Sequence, residues 1–368
     1  MKYPDGIAAQ PTALAASLAS LKLPSFNGGL IALVGIGASE YAARGAAAAW
    51  RSAGLQAVAV PASSPPVAAA VTLLISESGR SAEVLAYPAT GRTIALTNDP
   101  DSPLAAAADE LILLNSGPDS PVYTTGYTAT LQALGVLADH WTTTASSATA
   151  SSATPSSATA STSASASASA SATASATASA TASTSVSAST ASAGGAGSVG
   201  SGFDWTVLPA LVSDALAAPL GAASAYLDEA RLVDVVATGV SSATAGEGAL
   251  LLRESGRLHT AVHETRNYLH GPMEILDGQT TCVLIGDGRE VQLAYDVLAY
   301  GTKAVLITTR EVEPAQGLVV IKLPKASNEL AQAVLEMVPV QRLGWEVAQR
   351  RGLQVDGFRH RQSDTKVS

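Results

Sequence analysis

A loop rich in hydroxyl side chains follows the apolar segment VTLLI (71–75). The loop reads SESGRS, and its serines flank a glycine: Ser76, Ser78, Gly79 and Ser81. Hydroxyls and main-chain N–H groups at the start of a helix suit a dianionic phosphate. Glu77 is the exception, because a carboxylate repels a phosphate unless it points away or meets an amine of the ligand. The loop therefore predicts a phosphate-binding site, with Arg80 as a supplementary charge.

A glutamate and a histidine with catalytic potential lie in the segment EGALLLRESGRLHTAVHETRNYLHGP (247–272). Glu254 falls on a predicted helix that begins at a Gly/Ser loop. His270 precedes Gly271 and Pro272, where a helix cannot continue and a polar side chain can face a cleft. A carboxylate and an imidazole in such places commonly transfer protons in sugar chemistry.

Other residues of chemical interest give weaker signals. The turn GIGAS (35–39) resembles the start of a dinucleotide fingerprint, but Glu40 stands where the third glycine belongs. A sugar or phosphate pocket is the better interpretation, and glycines that only permit a tight turn are the alternative. His259 and His263 are four residues apart, without the HExxH pattern or third ligand that a zinc site needs. Lysine is scarce, and Lys366 is either a candidate for imine chemistry or part of a frayed tail.

The elements that must position these groups occur twice in the chain. Four pairs of segments match: 30–46 with 233–249, 71–83 with 281–290, 91–100 with 302–311, and 111–118 with 318–324. In the first pair, Gly35 is set opposite Gly239. Each copy alternates apolar runs with helical stretches, which predicts an α/β fold with a mainly parallel sheet covered on both faces. Ligands of such sheets bind beyond the carboxyl ends of the strands.

The second copy has GDG (286–288) in place of the serines, so we expect one phosphate site per chain. Between the copies, residues 142–202 contain Ser, Ala, Thr and Gly but no charged residue. Such small side chains bury too little area to offset roughly 1–2 kcal/mol of ordering entropy per residue. We therefore expect a disordered linker over 142–202 between domains over 1–141 and 203–368; partial helix is the alternative, because alanine tolerates it.

Composition excludes several classes of function. The net charge of −9, without any cluster of Lys and Arg, argues against binding to nucleic acid. No stretch has the length and apolar bulk of a membrane span, and the N-terminal MKYPDGIAAQP lacks a signal-peptide core. The single Cys282 lies in a predicted buried strand, where we expect a core residue. Together these features predict a cytoplasmic protein.

The combination of these motifs resembles the tandem sugar isomerase (SIS) family, which includes the isomerase half of glutamine:fructose-6-phosphate aminotransferase and related amino-sugar-phosphate deaminases. The similarity covers the chain except 142–202. Its most specific parts are SESGRS, the stretch ALTNDPDSPLAAAAD (95–109) and the block from Glu247 to Pro272. It implies two tandem SIS domains, each a flavodoxin-like three-layer sandwich of helices around a mainly parallel sheet.

The resemblance also implies site residues. The phosphosugar would be bound by Gly37, Ser39, Ser76, Ser78 and Ser81, with Glu77 beside them and with Val122 and Thr124 lining the sugar. Glu254 would move a proton between C1 and C2, and His270 would assist ring opening from the neighbouring subunit of a homodimer. The tail DTKVS (364–368) resembles the family's C-terminal lid, which makes Lys366 the candidate imine or carbonyl partner. No metal and no organic cofactor are implied.

The chain departs from the aminotransferase pattern at three positions, which point away from fructose 6-phosphate as the ligand: Leu251 replaces a lysine, Glu77 a glutamine, and Ala38 a Thr or Ser. Without a glutaminase domain, we expect a deaminase/isomerase that converts an amino-sugar 6-phosphate resembling glucosamine 6-phosphate to a ketohexose phosphate and ammonia. The alternatives are a fructosamine-phosphate deglycase, an aldose-ketose isomerase, and a non-catalytic phosphosugar-binding sensor. A sensor would need the serine loop but not Glu254, His270 and Lys366.

Overall fold

The computed structural model describes residues 1–151, 202–360 and 362–367. The elements of the first half are α1 (Tyr3–Ser20), β1 (Ile31–Gly35), α2 (Ala38–Ser52), β2 (Ala57–Pro61), β3 (Val71–Ile75), α3 (Ala82–Ala86), β4 (Arg92–Thr97), α4 (Pro103–Ala107), β5 (Glu110–Leu113) and α5 (Thr125–Ser151). The elements of the second half are a 3₁₀ turn (Trp205–Val207), α6 (Leu208–Ala217), α7 (Ala223–Glu229), β6 (Leu232–Ala237), α8 (Ser241–Gly256), β7 (Thr260–Glu264), α9 (Thr265–Tyr268), a second 3₁₀ turn (Pro272–Ile275), β8 (Thr280–Ile285), α10 (Arg289–Leu298), β9 (Lys303–Thr308), β10 (Leu318–Lys322) and α11 (Glu329–Arg350).

The strands of the described residues form two five-stranded sheets. Their orders are β2-β1-β3-β4-β5 and β10-β9-β8-β6-β7. Every pair of neighbouring strands in them is parallel. The prediction of an α/β fold with parallel sheets flanked by helices is therefore confirmed. The matches of β3 with β8, β4 with β9 and β5 with β10 are confirmed as well, because the paired segments form equivalent strands.

Helices lie between the two sheets and on their outer faces. The largest core joins α1, α2, α5, α8 and α11 to the inner faces of both sheets. Smaller clusters pack α3 and α4 on the outer face of the first sheet and α10 on that of the second. Because both faces are covered, β1, β3 and β8 are buried at every residue, which explains their continuous apolar runs. Cys282 is buried in β8, as predicted.

The predicted linker is wrong at its start, because α5 continues through residues 142–151. Alanine favours the helix here, and threonine hydroxyls find acceptors within it: Thr142 Oγ1 donates to Ala138 O at 2.8 Å and Thr143 Oγ1 to Asp139 O at 2.7 Å. The remainder of the predicted linker, from 152 to 201, lies outside the described residues.

The structure also corrects the register of the first pair of matched segments. Gly37 and Gly239 have φ angles of 58° and 60°, and each lies two residues beyond the end of its strand, β1 or β6. This left-handed backbone favours glycine. Gly239 is therefore equivalent to Gly37 rather than to Gly35, and Ser241 is equivalent to Ser39. A comparison by residue type alone could not separate two nearby glycines.

Carboxylates occupy the carboxyl edge of the second sheet. Ser241 Oγ donates to Glu336 Oε1 at 2.9 Å, and Thr244 Oγ1 donates to Glu336 Oε2 at 3.3 Å. Asp287 follows β8 and accepts hydrogen bonds from the hydroxyl of Thr308 (2.6 Å) and from Thr309 N (2.8 Å). The polar groups at this edge are thus paired with one another.

Glu336→Gln should remove a pH dependence of the stability. Burial is the main cause that raises the pKa of Glu336 to about 8 from an ordinary 4.5. Between those values the unfolded chain ionises and the folded chain does not, so wild-type stability falls as the pH rises, by at most about 1.4 kcal/mol per pH unit. Glutamine keeps a carbonyl acceptor without that cost. Denaturant unfolding from pH 4.5 to 8.5 measures the difference, with the exposed Glu313→Gln as the control. Equal pH slopes for wild type and Glu336→Gln would contradict the prediction.

Candidate functional site

The predicted phosphate loop lies at the carboxyl edge of the first sheet. β3 pairs with β1 on one side and with β4 on the other, so residues that follow these three strands meet at one edge. This edge holds Ser76 after β3 and both Gly37 and Ser39 after β1. Asn98 follows β4 on the opposite side of the loop. The topology therefore brings the two predicted serine and glycine segments together.

The loop itself is tightly folded. Ser76 is buried, and its Oγ lies 3.0 Å from Ser81 Oγ. Gly79 has a φ of +61°, and a Cβ at this position would lie 2.1 Å from Ser102 Oγ. Only glycine fits there without displacing Ser102. The hydroxyls of Ser76 and Ser81 consequently face each other across one turn.

Glu77 is held at the base of the loop. Its main-chain carbonyl accepts hydrogen bonds from Asn98 N (2.8 Å) and Thr97 Oγ1 (2.9 Å), and its carboxylate accepts one from Asn98 Nδ2 (3.1 Å). Burial raises the pKa of Glu77, and Asp119 raises it further. A nearby cation would therefore stabilise the ionised form of the Glu77 carboxylate.

The C-terminal tail pairs with the loop as a short antiparallel bridge between Ser81 and Lys366. Ala82 N donates to Thr365 O (3.2 Å), and Val367 N donates to Arg80 O (3.0 Å). Lys366 Nζ lies 3.4 Å from Ser78 Oγ. The tail therefore holds its lysine against the serine loop, and the alternative of a frayed tail does not describe this conformation.

Two residues that the sequence interpretation missed complete this region. Tyr123 OH lies 3.2 Å from Lys366 Nζ. Asp119 accepts hydrogen bonds from Thr124 N (2.9 Å) and Gly126 N (2.7 Å) and so caps the start of α5. An aspartate shortly before a helix is a recognisable capping signal, whereas nothing in the sequence pairs Tyr123 with the distant tail.

A cleft of about 1020 Å³, here called the first cleft, opens beside these groups. Its polar lining comprises Lys2, Glu77, Ser78, Asp119, Ser120, Tyr123, Asp356, His360, Gln362, Ser363, Thr365 and Lys366. Glu77, Ser78 and Lys366 are therefore the predicted site residues that line it. His360 on the tail is a further histidine that the sequence interpretation did not select.

Glu254 lies half-buried in the last turn of α8. Burial raises the pKa of its carboxyl group to about 7. The pKa of the Tyr123 phenol is raised by burial and then by Glu77, Asp119 and Glu254. Glu254 therefore shares one electrostatic environment with the groups of the first cleft. A carboxyl group with a pKa near neutrality exists in both protonation states there and can give or take a proton.

Val122 and Thr124, predicted to line the sugar, have buried side chains. Thr124 Oγ1 donates to Asp119 Oδ1 at 2.5 Å, and the Val122 side chain belongs to the main core. Contact with a ligand would therefore come from the main chain of this segment rather than from these side chains.

His270 is exposed on the loop between α9 and the second 3₁₀ turn, and its main-chain N–H donates to Asn267 O at 3.0 Å. It is not among the residues that line the first cleft. Within one chain, the structure does not bring His270 to the serine loop.

No group of three or more His, Cys, Asp and Glu side chains among the described residues is arranged to hold a metal ion. None of the described helices combines the length and apolar character needed to cross a membrane.

Comparisons with known proteins agree with this architecture. The SIS domain family model matches residues 226–342. A glutamine–fructose-6-phosphate aminotransferase (isomerizing) from Sphingobium yanoikuyae is 31% identical over 139 residues, which are 36% of this chain and 88% of that sequence. The chain covers about a quarter or less of the length of the first curated relatives of the same description, 18% to 26%.

Two solved structures share the fold over nearly the whole chain. The C-terminal domain of glucosamine-fructose-6-phosphate aminotransferase from Francisella tularensis superposes with a TM-score of 0.71 at 19% identity, covering 96% of this chain and 97% of that one. Glucosamine-6-phosphate deaminase from Thermotoga maritima superposes with a TM-score of 0.67 at 18% identity, covering 98% of both chains. At these identities, the likeness concerns the fold.

Proposed function

Because this chain belongs to the sugar isomerase (SIS) domain family, we propose that it is a phosphosugar deaminase/isomerase acting on an amino-sugar 6-phosphate. Its products would be a ketohexose phosphate and ammonia. The observation that carries the proposal is the position of Lys366, whose amine lies 3.4 Å from Ser78 Oγ in a cleft that also contains the half-buried Glu77 carboxylate.

The serine loop supplies the phosphate site in this proposal. Ser76, Ser78 and Ser81 donate hydroxyl hydrogen bonds to the phosphate, and Gly37 with Ser39 completes the site from the neighbouring strand. Lys366 adds a positive charge beside Ser78, supplementing Arg80 of the loop, and is the candidate partner of the sugar carbonyl. Hydrogen bonds to charged groups are worth about 1.5–3 kcal/mol each, so a few of them suffice for a small ligand.

Glu254 performs the proton transfer. It removes the proton from C2 of the open-chain aldose and returns a proton to C1, while the aldehyde oxygen gains a proton and the amine loses one. The result is a C1 hydroxyl and a C2 imine. Water then hydrolyses the imine to the ketone and releases ammonia, so one amino-sugar phosphate and one water give one ketose phosphate and one ammonia. The pKa of about 7 suits this role, because a proton carrier works best near the operating pH.

Glu77 favours an amino sugar over a neutral sugar. Its half-buried carboxylate interacts with the Asp119 carboxylate and would be stabilised by an ammonium group on the ligand. A fructosamine-phosphate deglycase is the second candidate, since the first cleft of about 1020 Å³ offers room for a substituent on that amine.

A panel of compounds tests the proposal. Glucosamine 6-phosphate, its epimers, fructosamine 6-phosphates and fructose 6-phosphate are incubated with the protein, and ammonia, free amine and sugar products are quantified. Ammonia release from a hexosamine 6-phosphate supports the deaminase, and amine release from a fructosamine phosphate identifies the deglycase. Isomerisation of a neutral sugar phosphate alone identifies an aldose-ketose isomerase. Binding without any conversion indicates a sensor.

We also propose a homodimer in which His270 of one subunit assists ring opening in the other, since its exposed loop lies apart from the first cleft of its own chain. Mixing Glu254→Gln with His270→Asn subunits should then restore about one quarter of the wild-type activity, because half of the dimers are mixed and one of their two sites is intact. Activity after unfolding and refolding the mixture, compared with each variant alone, measures this. Failure of the mixture to exceed the two variants would contradict a shared site.

A further inference from the structure

A second cleft, of about 720 Å³, lies between the two halves of the molecule. Helix α2 and strand β2 form its first side, and the start of α8 with the end of β7 forms the other. Its lining residues are distinct from those of the first cleft. Nothing in the proposed reaction uses it.

Two arginines lie along one face of α2 in this cleft, Arg44 and Arg51. They are seven residues apart, which separates their Cα atoms by roughly 10 Å along a helix. Between them Ala47 and Ala48 line the cleft, and their side chains are small. The spacing therefore suits an extended ligand rather than a single small ion.

Among the described residues, Arg51 has no carboxylate partner, and Arg44 shares its charge with Glu40. Arg51 Nη1 donates to Ala57 O at 2.9 Å, a neutral acceptor that leaves its charge uncompensated. Arg44 pairs with Glu40 at 2.5 Å within the same helix, and its side chain is 57% exposed. An exposed pair of this kind contributes little to stability, so an anionic ligand can share the guanidinium.

His263 faces the arginines from β7 and is backed by a buried carboxylate. Asp234 is fully buried, and its Oδ1 lies 3.5 Å from His263 Nε2. Asp234 Oδ2 accepts a hydrogen bond from Tyr268 OH at 2.7 Å, while Oδ1 has no hydrogen-bond partner among the described residues. A buried carboxylate requires compensation, which directs the Nε2 edge of the imidazole inward and leaves Nδ1 for a ligand.

The one acidic side chain that lines the second cleft, Glu264, is already satisfied. Its carboxylate accepts hydrogen bonds from Thr238 Oγ1 (2.8 Å) and Asn267 N (2.9 Å), and so caps α9. These contacts hold the carboxylate at the start of α9, on the β7 side of the cleft. The positive charge of the lining comes from Arg44 and Arg51, on the α2 side.

We propose that the second cleft binds an elongated small molecule of the sugar bisphosphate class, with two anionic groups about 10 Å apart. Arg44 and Arg51 bind these groups from α2, and His263 contacts the ligand from β7. This site is independent of the proposed reaction, because it shares no residue with the serine loop or with Glu254.

Calorimetry on the Ser76→Ala, Ser78→Ala protein, which lacks the first phosphate loop, tests the proposal. The probes are fructose 1,6-bisphosphate and inorganic phosphate. One equivalent of the bisphosphate should bind, at least tenfold more tightly than phosphate, and adding Arg44→Gln with Arg51→Gln should weaken it at least tenfold. Arg231→Gln is the matched control, because this arginine is also exposed and ion-paired, at 2.9 Å from Asp277.

Several outcomes would overturn the proposal. They are the absence of bisphosphate binding in the serine variant, equal affinity for phosphate and bisphosphate, and binding that survives the two arginine changes. Circular dichroism and thermal unfolding of each variant establish that the surface substitutions leave the fold intact. If the bisphosphate proposal is wrong, the proposed deaminase reaction is not affected, because that reaction is measured on protein with both arginines unchanged.

Discussion

Glu254→Gln is expected to reduce turnover of an amino-sugar 6-phosphate by about 100-fold or more, while the affinity for the ligand stays within a few-fold of wild type. A positioned general base contributes about 10²–10⁴ to the rate, and glutamine retains the shape of the side chain without its basicity. Because the pKa of Glu254 is raised by burial to about 7, the wild-type rate should rise as the pH increases through 7. The variant should lose this part of the profile.

Glu247→Gln is the matched control for this change. Glu247 lies on the same helix, two turns earlier, but it is fully buried and therefore cannot reach a ligand. Its replacement should leave turnover close to wild type. Initial rates measure the turnover of both variants, and calorimetry on the same preparations measures their affinity for the ligand. Near-normal turnover of Glu254→Gln, or equal losses in both variants, would remove Glu254 from the mechanism.

Ser76→Ala combined with Ser78→Ala should weaken the binding of a sugar monophosphate by roughly 3–6 kcal/mol, or about 10²- to 10⁴-fold, if the two hydroxyls act independently. Ser76 is buried beside Ser81, and Ser78 Oγ lies 3.4 Å from Lys366 Nζ, so both are placed at the proposed phosphate position. Removing them leaves a phosphate without two charge-assisted hydrogen bonds.

Ser52→Ala with Ser213→Ala controls for the loss of two serines elsewhere. Both hydroxyls donate to main-chain carbonyls of their own helices, at 3.3 and 3.0 Å, away from the first cleft. Calorimetric titration with glucosamine 6-phosphate measures the affinities. If the double variant of the loop binds as tightly as this control, the first sheet does not hold the phosphate.

The repeated segments were enough to predict the fold, because hydrophobic runs and turns determine which segments become buried parallel strands. They also placed Ser76 and Gly37 at one edge, since the carboxyl ends of parallel strands meet there. The docking of Lys366 followed only from the resemblance. Its contact with Tyr123 joins residues 243 positions apart, and no local pattern encodes the path of the tail.

Two predictions failed for identifiable reasons. The sequence pairs Gly239 with Gly35 because two glycines stand close together in the first copy, and only the backbone angle shows that Gly37 is the equivalent residue. The predicted linker begins too early because threonine has a low helix propensity, whereas hydrogen bonds to the preceding turn accommodate Thr142 and Thr143 in α5.

Deuterium exchange at the sugar carbons tests the central claim most directly. The protein is incubated with glucosamine 6-phosphate in D₂O, and NMR follows deuterium at C1 and C2 whatever the net direction of the reaction. The proposal predicts incorporation that depends on wild-type protein, falls by about 100-fold or more in Glu254→Gln, and persists in Glu247→Gln. Tight binding of the sugar phosphate with no deuterium incorporation above the protein-free rate would contradict it and would make the protein a phosphosugar sensor.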